Sequence, residues 1–214
     1  MRIGVLGSGD VGQTLASGFI GLGQQVKLGT RDPGQDKVRA WVAQNGAKAS
    51  AGTFAETAAF GELLVLAVLG TAVDEVIRLA DPANFAGKVV IDPTNALDAS
   101  HGFPPTLFIG GTDSLGECIQ RTLPHSRVVK AFNIVGYSLM VHPTLPDGPP
   151  TMFICGNDAD AKREVTEILT AFGWDTLETG GIEGSRYLEA MAMVWILTGA
   201  LSKHWLQAFK MLRG

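Results

Sequence analysis

Residues 7–12 read GSGDVG, and no other stretch limits the fold of this chain as tightly. The three glycines lie between an apolar run, RIGVLG at 2–7, and a helical pattern, VGQTLASGFIGLG at 11–23. A strand pattern, QVKLGTR at 25–31, follows directly. Glycines cluster in turns for steric reasons alone, but this GxGxxG spacing sits inside a complete βαβ unit and there carries a mechanism. Gly7 permits the tight turn, Gly9 lets the main chain approach a pyrophosphate, and Gly12 lets helix and strand pack closely. The helix start offers unpaired N–H groups and the positive end of its dipole to phosphate.

The alternation continues along the chain. A helix is expected at 36–46 with Val38, Trp41 and Val42 on one face, then a short strand at 47–50, a helical turn or two at 53–60 and a continuously apolar strand at 62–68. A helix at 71–80, with Thr71 and Asp74 resembling a capping box, leads to a strand at 88–93. After an irregular Pro- and Gly-rich stretch at 94–111, a helix at 113–124 carries Ser114 and Glu117 at capping-box spacing. Strands are expected at 127–133 and 151–156, separated by the loop 142–150. A helix at 158–173 capped by Asn157, a short strand at 175–180 and a long apolar helix or helix pair at 185–212 complete the pattern.

Strands alternating with helices in this way predict an α/β fold with a doubly wound, mainly parallel sheet covered on both faces. Residues 1–180 form the expected nucleotide-binding domain. Residues 181–214 form a small helical segment expected to shape the substrate pocket and a dimer contact. Ligands of such sheets bind outside the carboxyl ends of the strands, near the point where strand order reverses.

The strand end at VKLGTRDP (26–33) lies where an acidic side chain would hold the ribose hydroxyls of an unphosphorylated adenosine. The chain offers Thr30 and Arg31 instead. A hydroxyl and a guanidinium fork suit a 2′-phosphate, and Lys37 at the next helix start adds charge. Asp32, followed by Pro33, is expected to open the turn. The pattern favours NADP(H) over NAD(H). Further strand ends, Ala67, Val68 and Leu69, then Asn95 after IDPT, and Ala131 to Asn133 in KAFN, point to the same crevice. The amides of Asn95 and Asn133 suit a nicotinamide carboxamide or the second substrate, or they cap loops.

With 46% hydrophobic and 18% charged residues over 214 positions, the chain is an ordinary globular one. A net charge of −4 leaves no electrostatic footprint for nucleic acid or an anionic membrane, so a small-molecule partner is expected. The apolar run at 190–201 is too short to span a bilayer, and the start lacks a signal-peptide pattern, which predicts a cytoplasmic protein. Cys118 and Cys155 read as reduced, packed thiols. No metal-ligand spacing and no nucleophile motif occurs, and no catalytic residue stands out. The histidines at 101, 125, 142 and 204 are scattered. This favours a substrate that takes hydride without an enzyme-held proton, such as a flavin-like ring.

GSGDVGQTLA, LGTRDP, IDPTN, VVKAFNIVG and MFICGNDADAK together resemble the coenzyme F420-dependent NADP oxidoreductase family, over nearly the whole chain. The resemblance implies a Rossmann fold binding NADPH. It places Gly7, Ser8, Gly9, Asp10 and Val11 at the pyrophosphate loop, and Thr30 and Arg31 at the 2′-phosphate. Ala67 to Leu69, Asn95 and Ala131 to Asn133 then lie along the nicotinamide half. It also implies hydride exchange with the deazaflavin F420 or another flavin, and a homodimer closed by the C-terminal portion. A reductase of a small imine or carbonyl compound and a non-enzymatic NADP(H) sensor are the alternatives.

Overall fold

The computed structural model describes residues 1–212; positions 213–214 of the expected C-terminal segment lie outside the described residues. In chain order the first half contains β1 (Arg2–Leu6), α1 (Asp10–Gly21), β2 (Gln25–Gly29), α2 (Asp36–Asn45), β3 (Ala49–Gly52) and α3 (Phe54–Phe60). It continues through β4 (Leu63–Leu66), α4 (Val73–Ala80) and β5 (Val89–Asp92). A short hairpin of β6 (Leu97–Asp98) and β7 (Thr106–Leu107) lies in the stretch read as irregular. Then come α5 (Leu115–Thr122), β8 (Arg127–Lys130), β9 (Thr151–Gly156), α6 (Ala159–Ala171), β10 (Asp175–Glu178) and α7 (Ser185–Ser202).

Eight strands form one sheet in the order β10-β9-β8-β5-β4-β1-β2-β3. Every pairing is parallel except β8 with β9, which is antiparallel. No α-helix lies between β8 and β9, and a parallel return would need a crossover there. Order reverses between β1 and β4, so their carboxyl ends open a crevice.

The continuously apolar strands are explained by the two faces of the sheet. Leu63 and Val65 of β4 pack with α1, α2, α6 and α7 through Leu15, Phe19, Val38, Val165 and Leu188. Leu64 and Leu66 face the other way, onto Phe54, Ala58, Val76, Ile77 and Ile119 of α3, α4 and α5. No helix among the described residues is long and apolar enough to cross a membrane.

Several local expectations are corrected. Asp158, not Asn157, caps α6, accepting from the Ala161 N–H at 2.7 Å, while Asn157 Oδ1 accepts from Ile182 N. Thr71 falls in a 3-10 turn, so α4 begins at Val73 without a side-chain cap. A reciprocal capping box occurs at Thr53 and Glu56. Ser114 does cap α5, accepting from Glu117 N at 3.2 Å. The strand expected through 133 ends at Lys130. Beyond it Phe132 takes a left-handed conformation (φ 66°), which turns the chain out of the sheet.

The largest correction concerns the end of the chain. α7 stops at Ser202, Lys203 turns left-handed (φ 55°), and 204–212 run back as an irregular strap. Phe209 O accepts from Thr151 N at 2.8 Å, and Met211 N donates to Thr151 Oγ1 at 3.1 Å. Trp195 Nε1 donates to Gln207 O at 2.7 Å, and Gln207 Nε2 returns a bond to Trp195 O at 2.9 Å.

Candidate active site

A crevice of about 590 Å³ opens at the β1–β4 switch point. Its floor is the glycine turn. Gly7 has φ 125°, a conformation that suits glycine, and a Cβ there would lie 2.0 Å from Ala67 O. A Cβ on Gly12 would lie 2.0 Å from Gly7 O, so this residue serves helix–strand contact inside the protein. Gly9 is different: a Cβ built on it meets no protein atom within 4 Å beyond its own chain neighbours. The turn is kept bare toward the crevice, where a ligand's phosphates could approach the main chain. Gly9 is also the N-cap of α1 and makes no side-chain hydrogen bond, leaving the first-turn amides available to an anion.

At one end of the crevice stand Thr30, Arg31 and Lys37. Thr30 is buried and anchored by its N–H to Gly52 O at 3.1 Å, whereas Arg31 and Lys37 are exposed. Asp32 does open the turn, accepting from Gly34 N at 2.9 Å through its carboxylate. That engagement leaves Arg31 as the group at the strand tip with charge to offer. Phe54, Val76 and Leu79 contribute an apolar slot to the crevice, and Glu75 lines it too. At the opposite end Ala67, Val68, Leu69, Pro93 and Tyr137 form the wall. Leu69 is 78% exposed and Tyr137 49%, so an apolar shelf faces solvent there.

The structure thus brings Gly7, Ser8, Gly9, Asp10, Val11, Thr30, Arg31, Lys37, Ala67, Val68 and Leu69 together. It does not place Gly12, Asn95, Ala131 or Asn133 on the crevice wall. After the turn at Phe132, the Asn133 side chain points toward α7 and donates to Leu188 O and to Asn95 Oδ1, each at 2.9 Å. Asn95 Nδ2 returns a bond to Asn133 O at 2.8 Å. Both acceptors of the Asn133 NH₂ group are oxygens, which fixes the amide orientation and leaves its buried Oδ1 without a protein partner.

Sequence reasoning missed Pro93, Tyr137 and the apolar slot, and it missed a buried charged cluster of Asp92, Lys130 and Glu189 beneath the strand ends. A signal existed: each of the three interrupts an apolar run, in VVIDP, VVKAF and LEAMAMV. Charges are almost never fully buried unless paired. Among the described residues no group of His, Cys, Asp and Glu is placed to hold a metal ion.

This sheet order and switch-point crevice define a Rossmann-type α/β protein. The family model described as NADP oxidoreductase, coenzyme F420-dependent, matches residues 2–96. A solved protein from Arthrobacter sp. FB24, whose own assignment as an F420-dependent NADP-reductase is provisional, is 39% identical with a TM-score of 0.94, and the match covers 100% of both chains. The chain belongs to the coenzyme F420-dependent NADP oxidoreductase family. It is also 29% identical over 206 residues to the F420-dependent NADP reductase of Methanothermobacter marburgensis, covering 92% of this chain and 91% of that one. Metalloreductase STEAP3 of Rattus norvegicus is 30% identical over 194 residues, 90% of this chain. The match covers only 36% of that relative, so the chain spans about a third of its length.

Proposed function

We propose that this chain binds NADP(H) in the switch-point crevice and catalyses hydride transfer between the nicotinamide and a flavin-like acceptor such as the deazaflavin F420. The observation that carries the reading is the bare Gly9 turn at the start of α1, one strand tip away from Thr30 and Arg31. A phosphorylated dinucleotide has two anionic centres, and the crevice offers a donor group for each. Helix amides and the dipole of α1 receive the pyrophosphate. Thr30 donates a hydroxyl and Arg31 a forked pair of N–H bonds to the 2′-phosphate, with Lys37 adding charge.

When bound, the cofactor supplies a hydride from its nicotinamide ring. Everything else is positioning. Val68, Leu69, Pro93 and Tyr137 wall the other end of the crevice with an apolar surface, against which donor and acceptor rings are held at near-attack distance. The titratable residues lining the crevice are Asp10, Arg31, Lys37, Glu75 and Tyr137, with no histidine among them. That composition supports an acceptor whose ring nitrogens take protons from solvent. We place the protein in the cytoplasm and expect a homodimer. Exposed Tyr187, Val194 and Leu201 on α7 support self-association.

The test is stopped-flow oxidation of bound NADPH with F420, FMN, FAD, ferric chelates and a quinone offered in turn. Rapid reduction of F420 or a flavin supports the reading. No oxidation by any of them, together with turnover of a small imine or ketone that Tyr137→Phe abolishes, contradicts it.

A further inference from the structure

Lys130, Asp92 and Glu189 have side-chain exposures of 0%, 0% and 1%. The Lys130 ammonium lies 2.8 Å from Asp92 Oδ2 and 2.9 Å from Glu189 Oε1, and it donates to Thr94 O at 2.8 Å. Three oxygens thus surround the ammonium; the contact to Thr94 O is a hydrogen bond, whereas Asp92 Oδ2 is held by charge and makes no hydrogen bond. Asp92 Oδ1 accepts from Thr94 N at 2.9 Å and from Thr94 Oγ1 at 2.6 Å. Glu189 accepts from the first amides of α5, Leu115 N at 3.2 Å and Gly116 N at 3.0 Å. Gly116 lies tight against the cluster: a Cβ there would sit 2.3 Å from Ser185 Oγ and 2.8 Å from Lys130 Cε. Burial works to lower the Lys130 pKa, but the two carboxylates outweigh it and hold the group charged, above its ordinary range.

Stability is a weak reason for such a cluster, since well-packed apolar residues of similar volume often serve as well or better. Its placement is more informative. Asp92 ends β5, Lys130 ends β8, and Thr94 belongs to the loop whose Pro93 walls the crevice. Glu189 lies on α7, and the carbonyl of the preceding residue, Leu188, accepts from Asn133, which also bonds Asn95. Two consecutive residues of α7 are thus pinned to the tip of β8, one by charge and one by amide, and through Lys130 and Asn133 to the tip of β5.

We propose that Lys130, clamped between Asp92 and Glu189, is a positioning residue that locks the Pro93–Asn95 loop against α7 and thereby sets the nicotinamide end of the crevice. This rests on the cofactor reading above. The adenosine end, at β2 and α1, shares no residue with the clamp.

The experiment compares the full-length wild-type chain with Glu189→Gln and Lys130→Met. Glu189→Gln keeps the side-chain volume and an oxygen for the α5 amides, so it guards against a folding failure of Lys130→Met. Three readings are taken: affinity for 2′,5′-ADP, fluorescence of NADPH at saturation, and the single-turnover rate with whichever acceptor the wild type reduces. The expected result is 2′,5′-ADP affinity within about 2-fold of wild type, a nicotinamide fluorescence enhancement cut to about half or less, and a rate at saturating NADPH down about 10-fold or more. A folded Glu189→Gln with wild-type fluorescence and rate overturns the proposal. So does a loss of 2′,5′-ADP affinity in step with the rate, which marks a merely structural role. If the wild type binds NADPH but reduces no acceptor, the fluorescence decides alone. If the wild type binds no NADPH, the proposed function fails first and the positioning role falls with it.

Discussion

Gly9 and Gly12 belong to one motif and answer to different constraints. Gly12 is fixed by the protein itself, since a Cβ would collide with Gly7 O at 2.0 Å. At Gly9 nothing beyond its own chain neighbours lies within 4 Å of the same position. Gly9→Ala should therefore fold, with stability changed by no more than about 1 kcal/mol at an N-cap. Its NADPH affinity should fall about 10-fold or more, because the added methyl occupies space the phosphates need. Thermal unfolding and titration on the same sample check both halves. Arg31→Ala should weaken NADPH by roughly 1.5–3 kcal/mol, the worth of a charge-assisted hydrogen bond, and leave NADH unchanged. Equal loss for both cofactors in calorimetry would point to a folding defect. Cys155 illustrates a residue without a role in the crevice. Burial pushes its thiol up to about 11. A folded pKa above the unfolded one contributes stability that is complete below the ordinary thiol range and is lost as pH rises toward 11. Wild type should lose stability between about pH 9 and 11 more steeply than Cys155→Ala, as denaturant titrations across that window would show.

Elements differ in how far their own sequence determines them. β4 is apolar at every position because both faces are covered, and its identity could be read directly. The end of α7 could not. Residues 185–212 carry helix-compatible side chains throughout, yet the chain leaves the helix at Lys203. What the strap gains is tertiary: hydrogen bonds to Thr151, the Trp195–Gln207 pair and a tilted Trp195–Trp205 contact with centroids 5.5 Å apart. None of those partners is visible in local periodicity. Trp195 is the keystone, reaching also to Gly136, where a Cβ would stand 2.9 Å from its ring. Trp195→Ala should destabilise the protein by roughly 2 kcal/mol, less than a fully buried tryptophan because this one is only partly buried. Hydrogen exchange should then show strap amides such as that of Met211 exchanging faster, while those of β1 and β4 stay protected. Unchanged strap protection would mean that the segment is held elsewhere.

Across the whole molecule, the legible part of the sequence is the part governed by short-range rules. The glycine turn, the alternating elements and the Thr30–Arg31 strand tip all follow from neighbours within one βαβ unit. The antiparallel β8–β9 pairing was not legible, because what is missing between those strands, a crossover helix, leaves no positive mark. Asn95 and Asn133 were read from their positions at strand ends as facing the crevice or capping loops. Only the left-handed turn at Phe132 reveals that these amides face each other and α7 instead. The charged clamp escaped because its members are 38 and 59 residues apart (Asp92 to Lys130, and Lys130 to Glu189), and only the sheet order and the seat of α7 bring them together. Distance in sequence, more than subtlety of chemistry, separates what was seen from what was missed.

Calorimetric titration of the wild-type chain with NADPH and, in parallel, with NADH probes the proposed crevice at its two anionic centres together. NADPH should bind at least about 10-fold more tightly, with the difference shrinking as salt screens the exposed Arg31 and Lys37. Equal affinities, or no heat with either nucleotide, would contradict the account.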